Sequence, residues 1–325
     1  MRRREFIAGL GSAAACARAA RAQERRRRVG VLVFSAEDDP VTQARLAALR
    51  QGLEAAGWTE GRNLAIDVRF GAADPARLGS YADELVMLAP DVIVTGAAPA
   101  TKAVQRLTQT IPIVFVEATN EVGYGVTGSL AHPGGNATGI TNLYLAIGTR
   151  WLELLREAAP RMVRIALLFN PDFDSRSYMA AIEASAAAYG IKAVRTAARN
   201  AEEIEHGIGV FAAEPDGGLL VVPPAPTFAN VQLIFRLATR YRIPAIYPTR
   251  GFAAEGGLMA YGPVSADLFH NAATYVDRVL RGTKPSELPV GFPTKFELVV
   301  NLRAARAIAL EMPRTLLMRA AEVIE

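Results

Sequence analysis

Short apolar runs alternate with longer amphipathic stretches along most of this sequence. The runs are rich in β-branched residues, which is typical of strands buried on both faces of a sheet. Leucines at helical spacing predict helices over 42–56 and 151–159. This alternation predicts βαβ units, and therefore an α/β fold with doubly wound parallel sheets. The predicted strands are 29–34, 64–70, 92–96, 113–116, 164–169, 191–196, 218–222, 244–248 and 258–261.

The same order of elements occurs twice. A strand at 29–34 with its polar loop, helix and second strand is matched by the segments that start at 164. Pro90-Asp91 before a strand and Ile111-Pro112-Ile113 after its helix correspond to Pro215-Asp216 and Ile243-Pro244-Ala245. The repeat predicts two similar lobes in tandem, the alternative being a chance likeness between α/β segments.

Ligands of open parallel sheets bind at the carboxyl ends of the strands. Two lobes of this kind suit the clamping of a small molecule between their strand ends by hinge closure.

The positive charge of the chain is concentrated at its N-terminus. The 325 residues carry a formal net charge of +4. Residues 1–22 have a basic start, a short apolar run and Ala20-Arg21-Ala22, the pattern of a cleaved signal peptide. Arg3-Arg4-Glu5-Phe6-Ile7 resembles the twin-arginine export motif. Cleavage after Ala22 removes five arginines and one glutamate, so the mature chain is near neutral and the charge gives no reason to expect a nucleic-acid partner.

The cysteine and histidine residues give no indication of a catalytic or metal site. The single cysteine, Cys16, lies within the predicted signal peptide, where lipidation is the alternative to its removal. His132, His206 and His270 are far apart and lack the spacing of metal ligands, and the chain has no nucleophile elbow and no phosphate-binding loop. We therefore expect neither a metal or cofactor nor catalysis.

Several short motifs together resemble the ABC-transporter substrate-binding protein family, in particular the tryptophan/tyrosine-binding TrpX group. The likeness runs almost from end to end, and it is specific as an ordered set although each motif alone is weak. Besides the twin-arginine leader, the motifs are Arg50-Gln51-Gly52-Leu53, Gly57-Trp58, Glu60-Gly61-Arg62-Asn63, 111–116, Pro133-Gly134-Gly135-Asn136, Thr138-Gly139, 257–262 and 293–302.

The resemblance implies a type I periplasmic-binding-protein fold, whose lobes are joined by three crossings of the chain. We place these crossings near 138–143, 262–266 and 289–296. After a signal peptide at 1–22, lobe 1 is then expected to comprise 29–140 and 265–290, and lobe 2 to comprise 141–263 and 293–325. The helix that carries Tyr275, Val276, Val279 and Leu280 returns to lobe 1 in this scheme.

Candidate ligand contacts in lobe 1 follow its predicted strands. Ser35 follows the first strand, where it contacts ligand or caps the next helix. The run from Thr95 through Gly96, Ala97 and Ala98 leads into a helix, and small residues at a helix N-terminus can receive a ligand carboxylate. Thr119 and Asn120 stand where relatives commonly carry Asp-Pro, a departure that leaves the ligand class open.

Candidate contacts in lobe 2 follow the equivalent strands. Asn170 and Ser175 can fix a ligand's orientation or cap a helix. Arg250 can pair with a carboxylate or lie at the surface. Apolar walls with polar groups are expected from Phe173, Tyr247 and Tyr261, although any single aromatic is more often a core residue. Pro223 is a candidate because it lies at the end of a predicted strand.

The sequence as a whole predicts a periplasmic solute receptor that is not an enzyme. Its expected ligand is a small polar molecule, amino-acid-like or a small carboxylate, and its expected partner is an ABC permease in the inner membrane. The alternatives are a ligand-binding module that serves a signalling partner and an exported α/β enzyme.

Overall fold

The chain folds into two compact units. The computed structural model describes residues 26–72, 74–118, 126–142, 146–172, 176–223 and 230–325, so the predicted signal peptide and Cys16 lie outside the described residues. Among the described residues, lobe 1 comprises those from 26 to 140 and Leu268–Gly291. Lobe 2 comprises Thr141–Asp267 and Phe292–Glu325. The chain therefore passes from one unit to the other three times.

Lobe 1 contains a sheet with the strand order β2-β1-β3-β4-β5, in which β1 pairs in parallel with β2 and β3, and β3 pairs in parallel with β4. Its first elements are β1 (Arg27–Val33), α1 (Pro40–Ala55), β2 (Leu64–Phe70), α2 (Pro75–Met87), β3 (Val92–Gly96), α3 (Ala98–Gln105), β4 (Ile113–Ala118) and β5 (Ala137–Thr141).

Lobe 2 contains a sheet with the strand order β12-β11-β10-β9-β8-β6-β7. The first elements of this lobe are α4 (Ile147–Ala158), β6 (Arg164–Phe169), α5 (Arg176–Ala188), β7 (Lys192–Ala197), α6 (Ala201–Ala212), β8 (Gly217–Val221), α7 (Val231–Arg240), β9 (Ala245–Tyr247), α8 (Arg250–Ala254) and β10 (Met259–Pro263). The chain continues through α9 (Ser265–Leu280), a short 3-10 helix (Pro285–Glu287), β11 (Phe296–Asn301), α10 (Leu302–Ala307), α11 (Arg314–Arg319) and β12 (Glu322–Ile324).

The predicted repeat is confirmed by the strand orders of the two sheets. Lobe 1 contains the sequence β2-β1-β3-β4, and lobe 2 contains its counterpart β7-β6-β8-β9. In both lobes the first strand of the repeat lies between the second and the third. The carboxyl ends of these parallel strands, followed by loops and helix N-termini, therefore form one edge of each sheet, here called the carboxyl edge.

The parallel pairing that the sequence predicts does not extend to the last part of lobe 2, where the sheet is mixed. Strand β11 is antiparallel to β10, with Pro263 opposite Phe296, and β12 is parallel to β11. The chain leaves lobe 2 after the carboxyl end of β10 and re-enters it beside that end, so the next strand must run in the opposite direction. Strands β5, β11 and β12 were not among the predicted strands.

Helix starts follow from local sequence. The Asp39 side chain accepts hydrogen bonds from the amides of Val41 and Thr42, and Pro40 occupies the first helical turn of α1. Asp74 and Pro75 start α2 in the same way. The helices predicted at 42–56 and 151–159 begin earlier than expected, at Pro40 and Ile147. The Asp39 cap sets the first start, and the buried Ile147 extends the packed face of the second helix beyond its leucines.

Each sheet is covered on both faces. In lobe 1, Val31 belongs to the core beneath α1 and α9, whereas Leu32 belongs to the core beneath α2 and α3. Val276 of α9 packs into the first of these cores, as expected for a helix that returns to lobe 1. A side chain at Gly52 would meet the His270 carbonyl oxygen at 2.6 Å, so glycine permits the close approach of α1 to α9. None of the helices in the described ranges is long and apolar enough to cross a bilayer.

Candidate functional site

At the carboxyl edge of lobe 1, Ser35 lies two residues beyond β1. It is half-buried, and its carbonyl oxygen accepts a hydrogen bond from the Ala72 amide at 3.1 Å. Asp39, a few residues later, is committed to capping α1. Burial alone would raise the pKa of Asp39, but hydrogen bonds from the Thr42 hydroxyl and the amides of Val41 and Thr42 outweigh it and lower the pKa. The acid therefore stays ionised as a helix cap.

The turn from β3 to α3 is formed by small residues. Thr95 is fully buried, and its hydroxyl lies 2.8 Å from that of Thr101, so its side chain packs below the edge and is not exposed to a ligand there. Gly96 is also buried, and only Ala97 and Ala98 are partly exposed. The surface that this turn offers is therefore formed by Ala97, Ala98 and the first amides of α3.

Ala97 holds this turn in a strained conformation. Its φ is 70° and its ψ is 155°, a backbone region in which L-residues are rare and which costs about 1–3 kcal/mol. The Ala97 amide donates to the Val116 carbonyl oxygen at 2.9 Å, which fixes the turn to the end of β4. The amides of Ala98 and Ala100 lie in the first turn of α3, where no carbonyl four residues back within the helix can accept their hydrogen bonds.

An ion pair lies beside this turn. Glu117, near the end of β4, has a φ of 57°, and its Oε2 lies 2.9 Å from Nη2 of Arg45 on α1. Both side chains are mostly buried. The Arg45 guanidinium carbon lies 5.8 Å from the centroid of the Phe269 ring, whose edge would be 3.5 Å from a Cβ at Gly96. Residues from α1, β3, β4 and α9 thus form one cluster at the carboxyl edge of lobe 1.

In lobe 2, Asn170 and Pro223 occupy the loops after β6 and β8. Asn170 is 2% exposed, and its Oδ1 accepts a hydrogen bond from the Asp172 amide at 2.8 Å. Through this bond the Asn170 side chain stabilises the turn that follows β6. Pro223 is half-buried directly after β8.

Tyr247, predicted to form part of an apolar wall for the ligand, is placed in the core of lobe 2. Its side chain is 1% exposed, and its ring packs edge-on to Phe235 and stacks on Phe252, with centroid distances of 5.2 and 5.6 Å. Burial raises the pKa of Tyr247 strongly. The alternation of side chains in a strand directs Tyr247 to the covered face, which the sequence could not distinguish from an exposed position.

Arg250, predicted to receive a carboxylate, already has a carboxylate partner in lobe 2. Its Nε donates to Oε2 of Glu322 at 2.7 Å, and both side chains are partly exposed. Glu297 lies nearby, and its pKa is raised. Burial and the charge of Glu322 raise this pKa by more than Arg250 lowers it. Arg250 therefore ties β12 to α8 within the lobe.

Tyr261 belongs to a partly exposed aromatic cluster near the carboxyl end of β10. Its ring stacks on Phe296 of β11, with centroids 5.8 Å apart and planes 14° from parallel. The guanidinium carbon of Arg150, in the first turn of α4, lies 5.9 Å from the Tyr261 centroid. Trp151 Nε1 donates to the Tyr261 carbonyl oxygen at 2.6 Å. We call Tyr261, Phe296 and Arg150 the aromatic cluster.

Close backbone packing supports this end of β10. A Cβ at Gly262 would lie 2.0 Å from the Pro248 carbonyl oxygen, a distance that excludes any side chain. Glycine at this position lets β10 lie against the loop that follows β9.

Thr119, Asn120, Phe173 and Ser175 lie outside the described residues. Conversely, sequence reasoning missed Arg45, Phe269, Arg150 and Phe296 as neighbours of the candidate positions. The one local signal was Glu117, at the end of a predicted strand. The four missed residues come from distant segments, which only the tertiary fold brings together. Within the part of the chain that the structure describes, no three His, Cys, Asp or Glu side chains gather as a metal site would require.

Comparison with known proteins identifies the scaffold. The family model described as ABC transporter substrate binding protein matches residues 28–324, nearly the whole chain. The chain belongs to this family. Its members bind solutes and are not enzymes, so the substrate-binding protein described here is not an enzyme either. Its fold is that of the type I periplasmic binding proteins, shared with more distant solute-binding proteins.

Three relatives show the extent of the similarity. A tyrosine-binding protein of Clostridioides difficile (strain R20291) is 25% identical over 263 residues, which cover 80% of this chain and 75% of the relative. The solved structure of a conserved domain protein from Vibrio cholerae is 27% identical with a TM-score of 0.77, covering 92% of this chain and 99% of that one. The structure of an ABC domain in complex with L-Trp from Streptococcus pneumonia is 22% identical with a TM-score of 0.78, covering 92% and 100% of the two chains.

Proposed function

We propose that this substrate-binding protein is the receptor of an ABC importer and delivers an amino-acid-like ligand to a permease in the inner membrane. The match of the family model to residues 28–324 carries the proposal. The receptor works in the periplasm, and a signal peptide of the twin-arginine type, cleaved after Ala22, directs it there. Binding and lobe closure select the liganded form for the permease.

An aromatic amino acid is the first ligand to consider. One relative is named as a tyrosine-binding protein, and the solved structure of another contains L-Trp. The aromatic cluster of lobe 2 supports the same choice, because the rings of Tyr261 and Phe296 offer the stacking surface that a ligand ring prefers.

The carboxyl edge of lobe 1 supplies the ionic contacts of such a ligand. The Ala98 and Ala100 amides at the N-terminus of α3 favour a carboxylate, since the helix dipole is positive there. Glu117 is the acid at the same edge, and a ligand ammonium would share its carboxylate with Arg45. Ser35, Thr119, Asn120, Phe173, Ser175 and Pro223 remain proposed contacts from the loops that follow the strands.

Calorimetric titration against a matched set of compounds tests the ligand class. L-tyrosine and L-tryptophan are compared with tyramine and tryptamine, which lack the carboxylate, and with arabinose and myo-inositol. We expect saturable binding of at least one amino acid and a large loss with its amine. A receptor saturated by a sugar alone, or by no compound in a broad amino-acid panel, contradicts the proposal.

Ala98→Asp tests the carboxylate position directly. An aspartate in the first turn of α3 is favourable to the helix dipole, so the fold should be retained, but it repels a ligand carboxylate. We expect the affinity for the amino acid to fall by at least about tenfold, a change of about 1.4 kcal/mol. The isosteric Ala98→Asn is the matched control and should weaken binding much less; equal losses in the two variants would place the carboxylate elsewhere.

Export and delivery are tested in cells. The mass of the periplasmic protein should correspond to a chain that begins at Gln23, and replacement of Arg3 and Arg4 by lysine should retain the precursor in the cytoplasm. Deletion of the gene should abolish uptake of the labelled ligand at low concentration. Unchanged uptake would indicate a signalling receptor in place of an importer.

A further inference from the structure

Lobe 2 contains a concavity at the end of its sheet opposite the carboxyl edge. The cavity has a volume of about 370 Å³. It is lined by residues that precede β6, β8 and β9 and by the segment after α10, which places it at the amino ends of the parallel strands. This volume lies within the range of small-molecule sites.

The apolar part of the lining forms the floor of the cavity, while a slightly larger share of the lining surface is polar. Met162, Phe211, Ile243 and Ile308 are all buried, and each lines the cavity. Leu310 completes this surface from the segment after α10. A ligand with an apolar or aromatic body would bury its surface here.

The rim carries basic groups. Arg161 and Arg242 line the cavity and are exposed, and neither makes an ion pair with any residue in the described ranges. Two acids, Glu214 and Asp216, lie on the same rim. Glu214 is matched by Arg164, whose Nη1 lies 3.2 Å from its Oε2. Among the described residues, the lining thus contains two arginines and one acid, Asp216, that make no ion pair.

A third guanidinium lies behind the cavity wall. The Arg164 side chain is 8% exposed, its guanidinium carbon lies 4.1 Å from the Phe211 ring centroid, and its Nη2 donates to the Phe211 carbonyl oxygen. Its Nη1 is buried and makes no hydrogen bond with the described residues, despite its proximity to Glu214. The pair is thus a contact of charges without an aligned hydrogen bond, and it balances Glu214 without using either of the two arginines that line the cavity.

We propose that this cavity binds a small molecule with an apolar or aromatic body and a single carboxylate. The body contacts the apolar floor, and the carboxylate pairs with Arg161 and Arg242. Helices α4, α6 and α7 end at the rim, where the helix dipole is negative, and Asp216 adds a further negative charge. These groups weaken the binding of every anion, and they weaken that of a multiply charged anion such as phosphate more than that of a single carboxylate. The site lies within lobe 2 alone and is independent of the proposed transport ligand.

Three probes with the same body test the charge assignment. Hydrocinnamate, hydrocinnamyl alcohol and phenylpropylamine differ only in whether the head group is anionic, neutral or cationic. Titration of the full mature chain is followed through the amide chemical shifts of Gly217, Arg242 and Leu310. Hydrocinnamate should give saturable shifts with a dissociation constant on the order of 1 mM, and the amine should bind at least about tenfold more weakly.

Matched variants locate the site. Ala212→Trp fills the cavity from the end of α6 and should abolish hydrocinnamate binding, whereas Val210→Trp, at an exposed position of α6 that does not line the cavity, should not. Arg242→Gln should weaken binding by at least about tenfold, and Arg240→Gln, which does not line the cavity, is its control. Amino-acid binding at the carboxyl edges should be unchanged in all four variants. Stronger binding of the amine, no shifts at the three amides, or equal losses in each variant and its control would overturn the proposal.

Discussion

The carboxyl edges of the two sheets differ in chemistry although their strand order is the same. Lobe 1 presents small residues at Ala97 and Ala98 beside the Arg45–Glu117 ion pair. Lobe 2 presents the stacked rings of Tyr261 and Phe296. The repeated scaffold therefore fixes where side chains stand at each carboxyl edge, while the residues of each copy determine the chemistry that the edge presents.

The largest expected effect comes from truncating the tyrosine of lobe 2 that lies below the edge. Tyr247→Ala should lower the free energy of unfolding by about 3–5 kcal/mol, because it leaves a cavity between Phe235 and Phe252. Denaturant unfolding measures this loss. Tyr247→Phe keeps the ring, so its affinity for ligand should equal that of the wild type. A large loss of affinity in Tyr247→Phe would instead indicate that the Tyr247 hydroxyl contacts the ligand.

Tyr261→Ala, at the edge itself, should act mainly on binding. Loss of a ring that stacks on Phe296 and on a ligand is expected to cost about 1.5–3 kcal/mol of binding free energy, or roughly ten- to a hundredfold in affinity. Calorimetry of the variant, with Tyr261→Phe as its control, measures the effect. An unchanged affinity in both variants would mean that the aromatic edge of lobe 2 does not contact the ligand.

The ion pair of lobe 1 should have an intermediate effect on stability. Arg45→Ala leaves the Glu117 carboxylate mostly buried without this partner, and because the pair retains some exposure the expected cost is about 1–2 kcal/mol. Glu117→Gln in the Arg45→Ala background should recover part of this loss. A double-mutant cycle by denaturant unfolding gives the coupling, and a coupling near zero would show that the pair is electrostatically unimportant.

The smallest effect is expected from Glu297→Gln in lobe 2. Burial raises the pKa of Glu297 in the folded protein, so its ionised form destabilises the fold as the pH rises through that pKa. The variant should be more stable than the wild type by a few tenths of a kcal/mol at pH 7, and this difference should vanish on acidification. Glu311→Gln, at an exposed position, is the control. A difference that grows toward acid pH would contradict the assigned direction.

The sequence predicted where the strands lie along the chain better than it predicted which residues contact one another in the fold. Apolar runs located most strands within a residue or two, because burial on both faces leaves a continuous apolar signal. The direction of strand β11 depends on where the chain re-enters lobe 2, and no local sequence pattern encodes that position. Asn170 and Tyr247 were correctly placed at strand ends, but only burial distinguishes a residue that supports a turn or fills the core from one that contacts ligand.

By itself the sequence determined the α/β class, the internal repeat and the caps of α1 and α2, since these follow from periodicity and from interactions between residues close in the chain. The tertiary structure alone decided that Glu117 faces Arg45, that Phe296 stacks on Tyr261 and that a cavity forms at the amino ends of the lobe 2 strands. These contacts join segments far apart in the chain. Their geometry depends on strand direction and on which face of a strand or helix each side chain occupies, and packing of the whole lobe sets both.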